Sequence, residues 1–155
     1  MSFDFNIDEL NKSLLIQTMK TLNCPYEVSV DISIASEEEI RELNREHRGI
    51  DKVTDVLSFP MNEFDEPGVF SGASFEGSKT IDPDTDLLLL GDVVICASKV
   101  RSQAKEYGHT EKREFAFLVV HSLLHLSGFD HIDDSDRVIM EAKQREILDE
   151  VGIVR

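Results

Sequence analysis

From Phe115 to Leu126 the chain is apolar on nearly every side of a helix. A helix with no polar face cannot lie on a surface, so this one has to run through the centre of a domain with other elements wrapped around it. His121, Ser122 and His125 interrupt the run, and a buried imidazole needs a polar partner. His121 and His125 are four residues apart, so both rings leave one face of the helix, separated by about 40° of rotation, and can reach one point. Gly128 falls three residues later, where a left-handed turn past the helix end sends the chain back and brings His131 to the same place. The pattern H-x-x-x-H-x-x-G-x-x-H thus holds three of the five histidines. One divalent ion shared by His121, His125 and His131 satisfies the buried rings together. Three neutral imidazoles suit Zn2+, and other divalent transition metals can bind the same set. Three protein ligands leave a coordination position open, which marks a catalytic zinc rather than a closed structural one.

The histidine spacing is also that of the metzincin proteases, which carry Glu directly after the first His as general base. Here that position is Ser122, which is neutral and cannot replace the carboxylate. A zinc peptidase therefore stands only as an alternative.

The elements around the central helix follow from periodicity and caps. Asp8 is placed to cap a first helix carrying Leu10, Leu14, Leu15, Met19 and Leu22, which ends at Asn23 and Pro25. Tyr26 to Ile34 alternates as a strand. Ser36 with Glu39 forms a capping box for a helix to about His47, stopped by Gly49. Val53 to Phe59 is a second strand. Asn62 to Asp86 has no period, carries seven acids against Lys79, and is expected to be a mobile acidic loop. Leu87–Leu90 and Val93–Cys96 flank Gly91-Asp92 as a bulged hairpin or strand pair. A helix from Ala97 to Tyr107 carries Lys99, Arg101 and Lys105 and ends at Gly108. Thr110 caps the central helix. A last helix opens at Asp133 and Asp136, with Val138, Ile139, Ala142, Ile147 and Leu148 expected to face inward. The order predicts an α+β (mixed α/β) fold: a small mixed sheet of about four strands flanked by five or so helices, with the metal site in a cleft.

At 155 residues, 41% hydrophobic and 30% charged, the chain is expected to form a single domain over 1–155 with an ordinary core. It has no apolar run of membrane-spanning length, and Met1 to Asp8 lacks the basic start of a secretory signal, so no membrane role and a cytoplasmic location are expected. Cys24 and Cys96 have no CxxC spacing and read as free thiols. The net charge of −15 argues against DNA binding or any broad electrostatic grip on nucleic acid. Between Ala97 and Glu114, however, bases outnumber acids and leave room for a locally basic face.

Three stretches in order carry a family resemblance. HSLLHLSGFDH at His121 to His131 resembles the signature of the YbeY-type endoribonucleases, also called rRNA maturation factors. NREHRGIDKVTDVLSFP at Asn44 to Pro60 and LGDVVIC at Leu90 to Cys96 are similar to two further blocks of that family. Val53 stands where the family usually has Pro, Ser122 where it has Gly, and Phe129 where it has Tyr. Ser122 is expected to crowd the approach to the metal, and Phe129 removes a hydroxyl. None of these changes removes a ligand.

The resemblance implies a metal-dependent endoribonuclease specific for single strands. It implies work on ribosomal RNA, in 3′-end maturation of the small-subunit RNA and in ribosome quality control. Within that reading His121 and Arg48 are the catalytic candidates. The Arg48 guanidinium fork fits phosphate oxygens and matches the Arg of the family block. Asp92, at the expected bulge, and Asp130, beside His131, are candidates to orient water or an imidazole. Lys99, Arg101 and Lys105 are candidate RNA contacts, and Thr54 and Ser58 read as structural. Because the chain is so acidic, a ribosomal protein or a ribosome-associated GTPase is expected to deliver the RNA. The remaining alternative is a non-catalytic assembly factor whose metal only holds the fold.

Overall fold

The computed structural model describes residues 3–153. Helices α1 (Ile7–Thr21), α2 (Glu37–Arg48), α3 (Ala73–Ser78), α4 (Ala97–Tyr107), α5 (Glu111–Leu126) and α6 (Asp134–Glu150) surround strands β1 (Val28–Ala35), β2 (Val56–Pro60) and β3 (Leu88–Cys96). The fold is α+β, with three strands in the order β1-β3-β2, β1 parallel and β2 antiparallel to β3. The expected fourth strand does not exist as a separate element, because the two halves around Gly91 form one continuous strand.

That strand bulges as its glycine suggests. Ser29 pairs with Leu89 and Val30 with Gly91, leaving Leu90 as the extra residue. A Cβ on Gly91 would collide with the Phe59 carbonyl oxygen and sit 2.8 Å from Leu126, so the β2 backbone and α5 close on this point only because no side chain is there.

Helix α5 occupies the centre, against α1, α4, α6 and the sheet. Phe115, Val119, Val120, Leu123, Leu124 and Leu126 are fully buried and pack with Leu88, Leu90, Val93 and Ile95 from one face of β3. Helix α2 covers the other face through a smaller cluster of Ile40, Ala35, Leu57 and Cys96. Its capping box forms as its residues specify: the Ser36 hydroxyl accepts the Glu39 N–H, and Glu39 accepts the Ser36 N–H.

Three further expectations change. Asn6, not Asp8, caps α1, its Oδ1 accepting the Glu9 N–H at 3.1 Å. Two residues earlier, the start also brings Ile7 against the core. In α6 the buried positions are Met140, Gln144, Ile147 and Leu148, spaced as one helical stripe. Val138 and Ile139 lie off that stripe at 62% and 54% exposed, and Ala142 is exposed with them. Residues 62–86, read as a mobile loop, contain α3 and a packed aromatic cluster in which Phe64, Phe70 and Phe75 interlock at 5.2–5.8 Å. Asn62 ties the segment to the sheet, donating to Leu89 O and accepting the Thr80 N–H. Both cysteines are free, as expected. Among the described residues no helix is long and apolar enough to cross a membrane.

Candidate metal centre

His121 and His125 stand on α5 among Val119, Val120, Leu123 and Leu124, which are fully buried and fix the helix against its neighbours. Past the helix end Ser127 N–H returns to the carbonyls of Leu123 and Leu124, and Phe129 N–H to Leu124 O. Gly128 takes φ +94, the left-handed turn that its spacing predicts. The turn is braced from outside: a Cβ on Gly128 would meet the Phe64 Cβ at 2.7 Å, and Gly68 N–H donates to Ser127 O at 2.9 Å. The result carries His131 back to its partners. One nitrogen from each of His121, His125 and His131 lies within 4.8 Å of the other two.

These residues fit a metal. The Nε2 atoms of His121 and His125 are 3.1 Å apart, close to the ~3.3 Å edge of a tetrahedral zinc site built from ~2.05 Å bonds. His125 Nδ1–H donates to the Phe129 carbonyl at 3.0 Å, which fixes the tautomer and leaves the Nε2 lone pair aimed at the shared point. Burial, with the neighbouring His125 and His131, pushes the His121 pKa down to about 4, and Asp55 opposes the shift. Burial and His131 lower that of His125 as well. Both rings are therefore neutral at ordinary pH, the form that binds metal. The group could hold one metal ion.

The histidines open on a groove of about 790 Å³ walled by the end of α2, by β2 and by the Gly128 turn. Arg48 lines it from α2. Gly49 caps that helix at φ +70, and Asn44 Nδ2 donates to Lys52 O to hold the following turn, so the exposed Arg48 is delivered to the rim. Arg48 makes no hydrogen bond or ion pair among the described residues. Thr54 and Ser58, read as structural, also line the groove. Asp130 lines it too and accepts the His131 N–H at 2.6 Å.

Asp92 is not brought in. The strand alternates beyond the bulge, so Asp92 lies with Val94 on the α2 face of β3 while Val93 and Ile95 face α5. Lys99, Arg101 and Lys105 sit on α4, outside the groove. Arg101 is engaged by the Phe3 ring at 4.6 Å and by Glu111 at 3.8 Å. Ser122 is fully buried and does not line the groove, so it neither crowds the metal approach nor offers a base to it.

Sequence reasoning missed Asp55 and His47, which join the groove from the turn just before β2 and from α2. Gln103 Nε2 bridges Asp55 Oδ2 at 3.4 Å to buried Glu114 Oε2 at 2.7 Å. The available signal was position: both residues fall inside the Asn44 to Pro60 block that also supplies Arg48.

Comparison with known proteins places the whole chain in one family. The family model described as Endoribonuclease YbeY matches residues 1–152. The chain is 46% identical over 155 residues to Endoribonuclease YbeY of Lachnoclostridium phytofermentans, covering 100% of this chain and 94% of that one. It is 45% identical over 154 residues to the protein of the same name from Agathobacter rectalis, covering 99% and 93%. Among solved structures it is similar to the solution structure of TM1509 from Thermotoga maritima, with a TM-score of 0.59 and 29% identity over 96% of this chain and 85% of that one.

Proposed function

The chain belongs to the YbeY endoribonuclease family, and from that membership we propose that it cuts single-stranded RNA by metal-assisted phosphodiester hydrolysis at His121, His125 and His131. The substrate is ribosomal RNA, the step is 3′-end maturation of the small-subunit RNA, and the same activity serves ribosome quality control. Residues 1–155 act as a single domain in the cytoplasm. The observation that carries the reading is convergence. The metal-competent histidines and the uncommitted guanidinium of Arg48 line one groove.

Zinc, when bound by the three histidines, would supply Lewis-acid polarisation of a phosphoryl oxygen and a water of lowered pKa. The side chains do the rest. Arg48 grips the non-bridging phosphate oxygens and meets the charge that grows on them in the transition state. His121, held neutral by burial, and His125, held by Phe129 O, keep the ligand geometry rigid. Asp55 and Asp130 give the groove carboxylates able to orient water. The buried Ser122 argues against the peptidase alternative.

A net charge of −15 makes free RNA a poor ligand. A ribosomal protein or a ribosome-associated GTPase therefore delivers the substrate.

The test incubates purified protein with single- and double-stranded RNA, with and without chelator, beside His121→Ala and Arg48→Glu. Cutting of single strands only, abolished by chelator and by both folded variants, is the expected result. Equal residual cutting in every sample marks a contaminant and favours the assembly-factor reading. Chelation that melts the helices does the same.

A further inference from the structure

The histidines border a second groove that the proposed catalysis leaves unused. It opens between α5 and α6, holds about 660 Å³, and shares His121 and His131 with the Arg48 groove. The two grooves meet at the histidine cluster and leave it in different directions, one along β2 and the other between the helices. An RNA strand with a phosphate at the histidines continues on both sides of that phosphate. A groove on each side is what such a strand requires.

The lining suits an unpaired nucleotide. Phe117, one turn before His121, is 38% exposed, and its ring lies 13° from parallel with the His121 ring at 6.5 Å. Tyr107, 57% exposed, offers a second ring further along. Buried Met140 and Leu148 make an apolar floor. Arg113, Arg137 and Arg145 balance Glu114, Glu141 and Asp149, so this wall is neutral on a chain of net charge −15, and a polyanion meets no local excess of negative charge here. Arg137 is held by Asp134 at 2.7 Å and Arg113 donates to Ile153 O at 3.5 Å. Exposed Arg145 has no hydrogen bond or ion pair among the described residues, which leaves it for a phosphate.

We propose that the α5/α6 groove is a nucleobase subsite of the endoribonuclease, in which a base flanking the scissile phosphate stacks on Phe117 while Arg145 meets a neighbouring backbone phosphate. The inference rests on the endoribonuclease reading and deepens it. A base must leave its helix to reach Phe117, so the subsite itself selects single strands over duplexes, and stacking does so without demanding a sequence.

The test is steady-state cleavage of a single-stranded oligoribonucleotide containing one cut site, by wild type, Phe117→Ala, Phe117→Tyr and Arg145→Glu. Both positions are solvent-facing, and the Phe117 contact to Gln144 is through its backbone carbonyl, so circular dichroism should show all variants folded. Phe117→Ala and Arg145→Glu should each raise KM about tenfold with kcat within about twofold, and Phe117→Tyr should restore wild-type KM. An abasic ribose scanned along the substrate should raise KM at one position beside the cut in wild type and have no effect there in Phe117→Ala. Wild-type cutting with KM unchanged in both disruptive variants, or an abasic penalty undiminished in Phe117→Ala, overturns the subsite alone. Failure of the wild type to cut RNA under any metal overturns both it and the reading beneath it.

Discussion

Replacing Gly128 by Ala tests how the third histidine is delivered. The residue sits at φ +94, and a side chain in the left-handed region costs about 1–2 kcal/mol. The new Cβ would lie 2.7 Å from the Phe64 Cβ and 2.9 Å from its Cγ. Those atoms are near the backbone of a residue locked against Phe70 and Phe75, so they cannot swing away, and overpacking of this kind costs about 1–3 kcal/mol. Reduced freedom of the unfolded chain returns about 0.4–1 kcal/mol. The net loss is about 1–4.6 kcal/mol, or a fall in Tm of about 2–18 °C for a domain of this size. Denaturant melts in excess chelator measure that part without metal. Zinc affinity, read by competition with a chromophoric chelator, measures the rest, since a displaced turn should weaken binding at least about tenfold. Gly108→Ala is the control, because Gly108 also has positive φ (+70) but lies outside both the histidine groove and the aromatic cluster. If Gly128→Ala matches wild type in both measurements, the bracing of His131 by Phe64 is wrong. If Gly108→Ala loses as much zinc affinity, the loss reports general destabilisation and the argument fails.

Three further outcomes follow from the same geometry. The metal-free protein should lose stability as pH falls from about 6.5 to 4, because His121 is held near 4 when folded and the unfolded chain takes up the proton first. The contribution is complete above the unfolded value and amounts to about 3 kcal/mol at most. Comparing pH-dependent melts of wild type and His121→Gln isolates it, and parallel curves would refute it. Ser36→Ala removes a capping box and should cost about 1 kcal/mol, or about 2–4 °C in Tm, with no change in zinc affinity. Glu114→Ala strands His109 and Gln103, which sit 2.8 and 2.7 Å from a carboxylate whose side chain is 3% exposed. About 3 kcal/mol should be lost in urea melts.

What the sequence reveals of this molecule divides along a physical line. Local rules read correctly where the information is local: the capping box at Ser36, the left-handed stops at Gly49 and Gly108, the burial of the central helix and the turn at Gly128. The histidine cluster belongs to this group, since its three members lie within eleven residues of one helix and turn. Asp55 and His47 do not, because only the pairing of β2 with β3 and the docking of α2 put them in the groove that His121 lines. Asp92 failed for a related reason. The bulge was legible from Gly91, but which face the next residue takes depends on which strand carries the extra residue. The phase of α6 was lost between two apolar stripes, and the one containing Val138 and Ile139 stayed outside.

The acidic segment shows most clearly how composition can mislead. Its charges and glycines suggest a chain that cannot pay for ordering itself, yet its three phenylalanines are spaced to close on one another and on the Gly128 turn. Phe64 packs on Gly128, Gly68 N–H holds Ser127 O, and a Cβ at Gly68 would strike the Phe129 ring, whose residue also supplies the carbonyl that orients His125. The segment thus reaches two of the three metal-competent histidines through single contacts. Its packing and the metal site are therefore linked in both directions. Whatever loosens the aromatic cluster should loosen His131 first, and a bound ion that draws His131 inward should tighten the cluster in return.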